Sequence, residues 1–265
     1  MATLASERTY PTTGDEPFFL KCAIAMAVII VAGFSFQLWM GRSTFASPIR
    51  VHIHAVLFMG WMTIFLLQNI LVAAGRIDLH RKLGWIAAGW MAAMVISGFL
   101  VTVAMVRNGV VPFFFRPLHF LMFDPVTILA FAGLTIAAVK LRRQTDWHRR
   151  LHVAGMALLL APPFGRLLPM PFLPPYAWEV TFLVCLVVFA IIIALDSRRR
   201  GSIHPAWKWA LGVWLATFVA IEALTFSPVG LAVYDRVVAG SPGESVDPLA
   251  FPPAPKGPLM TGRTD

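Results

Sequence analysis

Long apolar stretches separated by short polar segments make up most of the chain. Seven runs of about 20 apolar residues, the length that crosses a bilayer as a helix, lie at approximately 18–40, 48–74, 82–106, 117–140, 149–168, 176–195 and 206–227. We therefore predict an all-α, polytopic membrane protein with about seven transmembrane helices and a central four-helix bundle of helices two to five. Residues 1–17 form a polar N-terminal segment. Residues 228–265 form a Pro/Gly-rich tail, which we expect to be mostly irregular, with one short apolar turn around 229–238.

The composition indicates that lipid is the solvent of this chain. Hydrophobic residues make up 58% of it and charged residues 13%, with a mean hydropathy of +0.74. A soluble domain carries roughly a quarter charged residues. The net charge of +9 would suggest a nucleic-acid partner in a soluble protein. Here the basic residues fall in short loops between apolar runs, so we expect membrane lipids and no nucleic acid as partners.

The distribution of Lys and Arg predicts the orientation in the membrane. The second, fourth and sixth loops hold twelve of these residues: Arg76, Arg81, Lys82, Lys140, Arg142, Arg143, Arg149, Arg150, Arg198, Arg199, Arg200 and Lys208. The first, third and fifth loops hold five: Arg42, Arg50, Arg107, Arg116 and Arg166. Because basic loops stay on the cytoplasmic side, we predict a multi-pass protein of the cell membrane with a cytoplasmic N-terminus and an external C-terminus.

Two of the apolar runs begin with nearly the same motif. The segments DLHRKLG at 78–84 and DWHRRLH at 146–152 introduce the third and fifth runs. We expect Asp78 and Asp146 to cap these helices, which places His80 and His148 in their first turns on the inner side. His152 lies one turn after His148 on the same helical face. The shared motif suggests that helices two and three and helices four and five form two copies of one repeated hairpin. Ligands of such repeats tend to lie where the two copies meet.

Three more histidines lie at the opposite ends of these hairpins. Pro48 and Pro117 fit the first turns of the second and fourth helices, so His52, His54 and His119 should lie near the outer surface. His52 and His54 point about 200° apart on a helix, so only one of them can face a given partner. Pairing the two hairpins would bring His52 or His54 toward His119 outside. It would bring the inner histidines together at the other end.

This layout of histidines resembles that of the two-haem transmembrane b-type cytochromes. In that family a four-helix bundle holds one haem near each membrane face between two imidazoles. The resemblance covers mainly residues 48–168 and implies bound haem b and transmembrane electron transfer. It also implies that a quinone or a partner redox subunit supplies the electrons. The implied ligands are His52 or His54 with His119 outside, and His80 with His148 or His152 inside.

The turn HRKLGW at 80–85 also resembles turns in uncharacterised bacterial multi-spanning membrane proteins. That likeness implies a bacterial inner membrane as the location. It implies no particular chemistry.

Two other interpretations fit the same histidines. In the first, the basic turns are only interfacial anchors, and the protein is a cofactor-free membrane scaffold or an assembly subunit of a larger complex. In the second, His148 and His152 form a zinc-binding pair with His80, as in a zinc-dependent membrane hydrolase. The absence of a serine near the inner histidines counts against that hydrolase.

Two acidic residues fall within apolar runs, where a carboxylate is costly and should face the protein interior. Asp124, just before Pro125 in the fourth helix, could exchange protons or tune a nearby haem or quinone. It could equally be a buried partner of Arg116. Glu222 in the seventh helix is the second such candidate, although it could simply bond a neighbouring helix. The prolines Pro162 and Pro163 should break the fifth helix near its outer end.

Overall fold

The computed structural model describes residues 14–257, and within that range the chain is helical with no strands. In chain order the helices are α1 Glu16–Trp39, α2 Ile49–Ala73, α3 Ile77–Arg107, α4 Pro117–Lys140, α5 Thr145–Leu158, α6 Ala161–Leu167, α7 Ala177–Arg200, α8 Pro205–Thr225 and α9 Pro228–Val238. Six of them, α1 to α4, α7 and α8, are long and apolar enough to cross a membrane. The prediction of an all-α, polytopic membrane protein is confirmed. Residues 1–13 of the predicted N-terminal segment and 258–265 of the tail lie outside the described range.

The fifth apolar run is two helices rather than one. Helix α5 ends at Leu158 and α6 begins at Ala161, so the break falls just before Pro162 and Pro163. Proline lacks the N–H that would continue the helical ladder, and its ring clashes with the preceding turn. The predicted break at these prolines is confirmed. Pro125, in contrast, lies inside α4 without interrupting it.

Helices α1 to α6 form a closed ring. Helix α1 packs on α2, α2 on α3, α3 on α4 and α4 on α5, and both α5 and α6 pack back on α1. Within the described residues, α2 makes no more than marginal contact with α4 or α5 across the ring. The four helices expected in the central bundle are therefore neighbours, and α1 closes the ring. Helices α7 and α8 lie outside it, against α5 and α6 and against α4 and α5.

Glycines allow two of the closest helix contacts in the ring. A Cβ atom on Gly33 of α1 would lie 2.6 Å from the carbonyl oxygen of Pro163 in α6. A Cβ atom on Gly60 of α2 would lie 2.3 Å from the indole of Trp90 in α3. The Trp90 indole N–H donates to the carbonyl of Leu57, at 2.7 Å. Small residues at helix interfaces are the usual means of close packing in membranes.

A buried ion-pair network joins the helices at one end of the ring. The α2–α3, α4–α5 and α7–α8 connections lie at this end, together with the twelve Lys and Arg residues of the second, fourth and sixth loops. We call it the basic end, and we call the opposite end the distal end. Arg150 of α5 donates two hydrogen bonds to Asp196 of α7, at 2.8 and 3.1 Å. Neither side chain is exposed to solvent. Asp196 also accepts a hydrogen bond from the Trp207 indole of α8, at 2.7 Å.

The predicted helix caps at the basic end are wrong. Helix α3 begins after Arg76 and α5 begins after Gln144, and neither N-cap residue makes a side-chain capping bond. Asp78 and Asp146 lie in the first turns, where a carboxylate favours the helix dipole. Asp146 accepts a hydrogen bond from Arg150 at 3.0 Å instead of capping its own helix.

The C-terminal tail is more ordered than predicted. The apolar turn expected around 229–238 is helix α9. Ser227 caps its start, since the Ser227 hydroxyl accepts a hydrogen bond from the Gly230 amide at 3.0 Å. Beyond it the chain folds back over the distal end, where the Leu118 amide donates to the carbonyl of Pro248 at 2.9 Å. Helix α9 packs on α3, α4 and α8. Helix α9 and the chain as far as Phe251 thus pack against the transmembrane helices.

Candidate functional site

Three imidazoles converge at the basic end of the ring. His80 lies in the first turn of α3, His148 in the first turn of α5, and His152 one turn further along α5. The ring centroids of His80 and His148 are 6.1 Å apart, and those of His148 and His152 are 4.6 Å apart. We call these three residues the basic-end histidine cluster. The structure brings together the inner histidines that the repeated motif singled out, and it places His148 against His80.

The surrounding backbone orients two of these rings. The Nδ1 atom of His148 lies 2.8 Å from the carbonyl oxygen of Ala138. A carbonyl can only accept, so Nδ1 carries the proton and Nε2 keeps its lone pair. His80 interacts with the backbone of Gln68, and its Nδ1 atom is buried without a hydrogen-bond partner. This is the pattern of an imidazole held by one nitrogen so that the other can bind a metal.

Further polar atoms beside the cluster are buried without partners. They are the side-chain oxygen Oε1 of Gln68 on α2 and the hydroxyl of Thr135 on α4. Two glycines lie next to these polar atoms and place no side chain there. A Cβ on Gly84 would meet only the Gln68 amide, at 3.6 Å. A Cβ on Gly155 would lie 3.4 Å from the Thr135 hydroxyl. Buried polar atoms without partners are rare and call for a specific explanation. A polar or metal-containing ligand within the ring would supply one.

The donor set suits one metal held by two imidazoles better than a metal held by several side chains. Within residues 14–257, no group of three or more His, Cys, Asp or Glu side chains could hold a metal ion. With metal–nitrogen bonds of about 2 Å, two imidazoles on opposite sides of one metal have centroids roughly 6 Å apart. The His80–His148 separation of 6.1 Å matches this value. Two imidazoles at this distance could hold one metal between them, whereas the zinc interpretation finds no group of three such ligands in the described range.

The structure does not bring the outer histidines together. The Nε2 atom of His119 lies 3.1 Å from a carboxylate oxygen of Glu222 on α8, and its ring stacks on Trp178 of α7. His54 instead faces α3, with its Nδ1 atom 3.4 Å from the Ser97 hydroxyl. His52 contacts the carbonyl of Phe45 in the preceding loop. The reason is that α4 turns its His119 face toward α7 and α8, away from α2.

The two acidic candidates have different partners. Glu222 bonds His119, which is the simpler of the two roles considered for it. Asp124 accepts a hydrogen bond from the Thr102 hydroxyl at 3.2 Å. Arg116, its expected partner, instead lies over the ring of Phe251, 4.7 Å from the centroid.

Two aromatic side chains separate the basic and distal halves of the ring. Trp61 of α2 and Phe131 of α4 meet edge to face with centroids 5.2 Å apart, and both are almost fully buried. Trp61 belongs to a stripe on α2 that also carries His54 and Gln68, spaced by seven residues. Seven residues are two helical turns, so all three share one face. This spacing was the sequence signal that could have assigned Gln68 to the histidine cluster.

Comparison with known proteins adds no relative to this picture. No protein-family model, no curated protein and no solved structure matches the chain.

Proposed function

We propose that this chain is a membrane redox protein that holds one b-type haem between His80 and His148. The observation that carries the proposal is the pair of imidazoles 6.1 Å apart on two different helices. The orientation of His148 by the Ala138 carbonyl supports it, because this leaves Nε2 of His148 available to a metal. His148 is preferred to His152 because His148 is the ring in contact with His80.

Residues around the histidine pair would hold the haem and exclude water from it. His80 and His148 would hold the haem iron through one ring nitrogen each, and the partnerless polar atoms of Gln68 and Thr135 would lie beside the bound group. When bound, a bis-histidine haem exchanges single electrons without an open coordination site. The apolar residues of the ring, with Trp61 and Phe131 above the cluster, would exclude water.

The proposal differs from a two-haem cytochrome in one respect. His119 bonds Glu222 and faces α7, so among residues 14–257 the distal end offers no opposed pair of imidazoles. We therefore propose one haem for each chain. An electron that enters at the basic end would need a second carrier to cross the membrane.

The direct test is the visible absorption spectrum of the protein purified in detergent from cells supplied with a haem precursor. We expect a haem spectrum that sharpens on addition of dithionite, and about one haem per chain by pyridine haemochrome assay. The variants His80→Ala and His148→Ala should each lose the bound haem. The matched control His119→Ala removes a buried imidazole at the other end and should keep it.

Each result bears on the proposal. A colourless wild-type protein that elutes as a monodisperse species would overturn it, and the cofactor-free scaffold would then be the better interpretation. Loss of haem from His152→Ala with full retention in His148→Ala would overturn the ligand assignment. Two haems per chain would contradict the single-site proposal.

A further inference from the structure

Helix α8 carries an open cleft on its outer surface, near the basic end. The cleft has a volume of about 440 Å³ and is lined by Lys208, Trp209, Gly212, Val213 and Ala216. Ligand clefts in proteins usually enclose roughly 300–1,000 Å³. All five residues belong to α8, which lies outside the ring, so the cleft is not part of the basic-end histidine cluster. We call it the α8 cleft.

Two small residues form the floor of the α8 cleft. Gly212 and Ala216 are one helical turn apart and share a face of α8, and both are exposed. A Cβ atom on Gly212 would meet nothing within 4 Å, so none of the described residues covers the helix there. The buried side of α8 carries Trp207 and Trp214 instead, neither of which is exposed. The cleft therefore opens toward the surrounding lipid.

The two ends of the α8 cleft differ in polarity. Lys208 is the fourth residue of α8, about 5 Å from the helix start, and Ala216 lies about 12 Å further along the axis. Trp209 stands beside Lys208 and is 67% exposed. Tryptophan at this position is typical of the headgroup level of a membrane. A phospholipid has the same distribution, with a polar headgroup at the surface and an apolar chain below it.

The charge of the α8 cleft favours an anionic headgroup. Among residues 14–257, Lys208 makes no ion pair with a carboxylate, and the nearby start of α8 carries the positive end of the helix dipole. A second copy of the chain fits less well. Two copies related by an axis along the membrane normal lie at equal depth, so each Lys208 would face its twin without a counter-charge.

We propose that the α8 cleft binds one anionic phospholipid from the membrane leaflet at the basic end. The phosphate would lie at Lys208 and Trp209, and one acyl chain would run over Gly212 and Ala216. Basic loops attract anionic lipids without a fixed position, whereas the cleft adds an apolar surface that holds one chain. No haem ligand lies in the cleft, so this proposal does not depend on the function proposed above.

The test is native mass spectrometry of the full-length, delipidated protein in detergent micelles. The protein is titrated with dioleoyl phosphatidylglycerol and with dioleoyl phosphatidylcholine, which share acyl chains and differ in net charge. We expect one tightly bound phosphatidylglycerol per chain, with an affinity at least about fivefold above that for phosphatidylcholine. Lys208→Gln should remove this preference and leave the affinity for phosphatidylcholine unchanged. The matched control Lys82→Gln removes an exposed lysine at the same end, on α3, and should keep the preference.

A second pair of variants tests the apolar part of the cleft. Gly212→Leu fills the floor and should weaken the binding of both lipids by about fivefold or more. Gly133→Leu is its matched control, because Gly133 is also an exposed helical glycine whose Cβ atom would meet nothing within 4 Å. This control should bind both lipids as the wild type does. All four substitutions lie at exposed positions, so each variant should elute as a monodisperse species.

Four results would overturn the proposal. Equal affinity of the wild type for the two lipids would show that the cleft does not select by charge. Equal losses in Lys208→Gln and Lys82→Gln would show diffuse attraction to the basic end. Full binding by Gly212→Leu would show that the acyl chain does not use the cleft. A wild-type dimer that Gly212→Leu dissociates would show that a second copy occupies it.

Discussion

Arg150 and Asp196 show how much a single pair of side chains can contribute to this fold. Both are completely buried, and the guanidinium meets the carboxylate through two hydrogen bonds between α5 and α7. Asp146 on α5 and Trp207 on α8 satisfy further groups of the pair. A buried ion pair is not a strong source of net stability, but removing one partner leaves the other charge buried and uncompensated.

We therefore expect Asp196→Ala to lower the free energy of unfolding by about 3–5 kcal/mol. Denaturant titration of the protein in detergent micelles measures this change. The control is Asp78→Ala, because Asp78 occupies the position of Asp146 in the other motif copy but is exposed. That change should cost no more than about 1 kcal/mol, because only a favourable charge at the start of α3 is lost. A small effect of Asp196→Ala would show that water reaches Arg150 in the folded protein.

The two copies of the repeated motif have different roles at the residue scale. In the second copy, Arg150 and Asp146 belong to the ion-pair network. In the first copy, Asp78, Arg81 and Lys82 are exposed. What the copies share is the histidine, since His80 and His148 meet in the ring. Repetition in the sequence therefore identified the two histidines that meet in the ring, but it gave no sign that Arg150 belongs to a buried ion-pair network.

At the scale of helices, close packing in the ring depends on glycines. Helices α2 and α3 approach so closely at Gly60 that the Trp90 indole occupies the space of a Cβ atom. The hydrogen bond from Trp90 to the Leu57 carbonyl keeps the indole in that position. The same contact helps to hold α2, which carries His54, Trp61 and Gln68 toward the interior.

The variant Gly60→Ala should destabilise the protein by about 1–3 kcal/mol, because its methyl group would overlap the Trp90 indole. Thermal unfolding in detergent, followed by circular dichroism, measures the loss. Gly133→Ala is the matched control, since a Cβ atom on this helical glycine meets nothing within 4 Å. Alanine is the better helix former, so this control should be neutral or stabilised by up to about 1 kcal/mol. Equal stability of both variants would show that α2 and α3 can move apart without cost.

At the scale of the whole molecule, the ring has polar side chains on both sides of an apolar layer. Trp61 and Phe131 lie between the basic-end histidine cluster and His54, which contacts Ser97 toward the distal end. Helix α9 and the chain after it pack over the distal end. The two ends of the ring thus differ in their side chains, so the orientation of the protein in the membrane decides which of them faces the cytoplasm.

The excess of Arg and Lys at the basic end predicts that this end faces the cytoplasm. Single cysteines at exposed positions test the orientation with a membrane-impermeant thiol reagent on intact cells. We expect Asn108→Cys at the distal end to be labelled and Arg143→Cys at the basic end to be labelled only after lysis. The native Cys22 and Cys185 are buried and should give little background. Labelling of Arg143→Cys alone in intact cells would reverse the orientation.

The sequence was sufficient to predict most of the fold. Runs of about 20 apolar residues mark membrane helices because lipid leaves the backbone no other way to satisfy its polar groups. The proline pair at 162 and 163 predicted the break between α5 and α6 for an equally local reason. The order of the tail was missed, because its contacts, such as that of Leu118 with Pro248, join residues far apart in the chain.

The chain by itself thus determined which apolar runs form helices and which of them carry histidines, since periodicity and helix breakers act over a few residues. Only the tertiary structure decided which helical faces meet. It placed His80 against His148, turned His119 toward Glu222, and joined Asp124 to Thr102 rather than to Arg116. These choices depend on how α1 closes the ring and how α8 packs on α4. Contacts of that kind follow from the rotation of whole helices about their axes, and a single run of apolar residues does not encode that rotation.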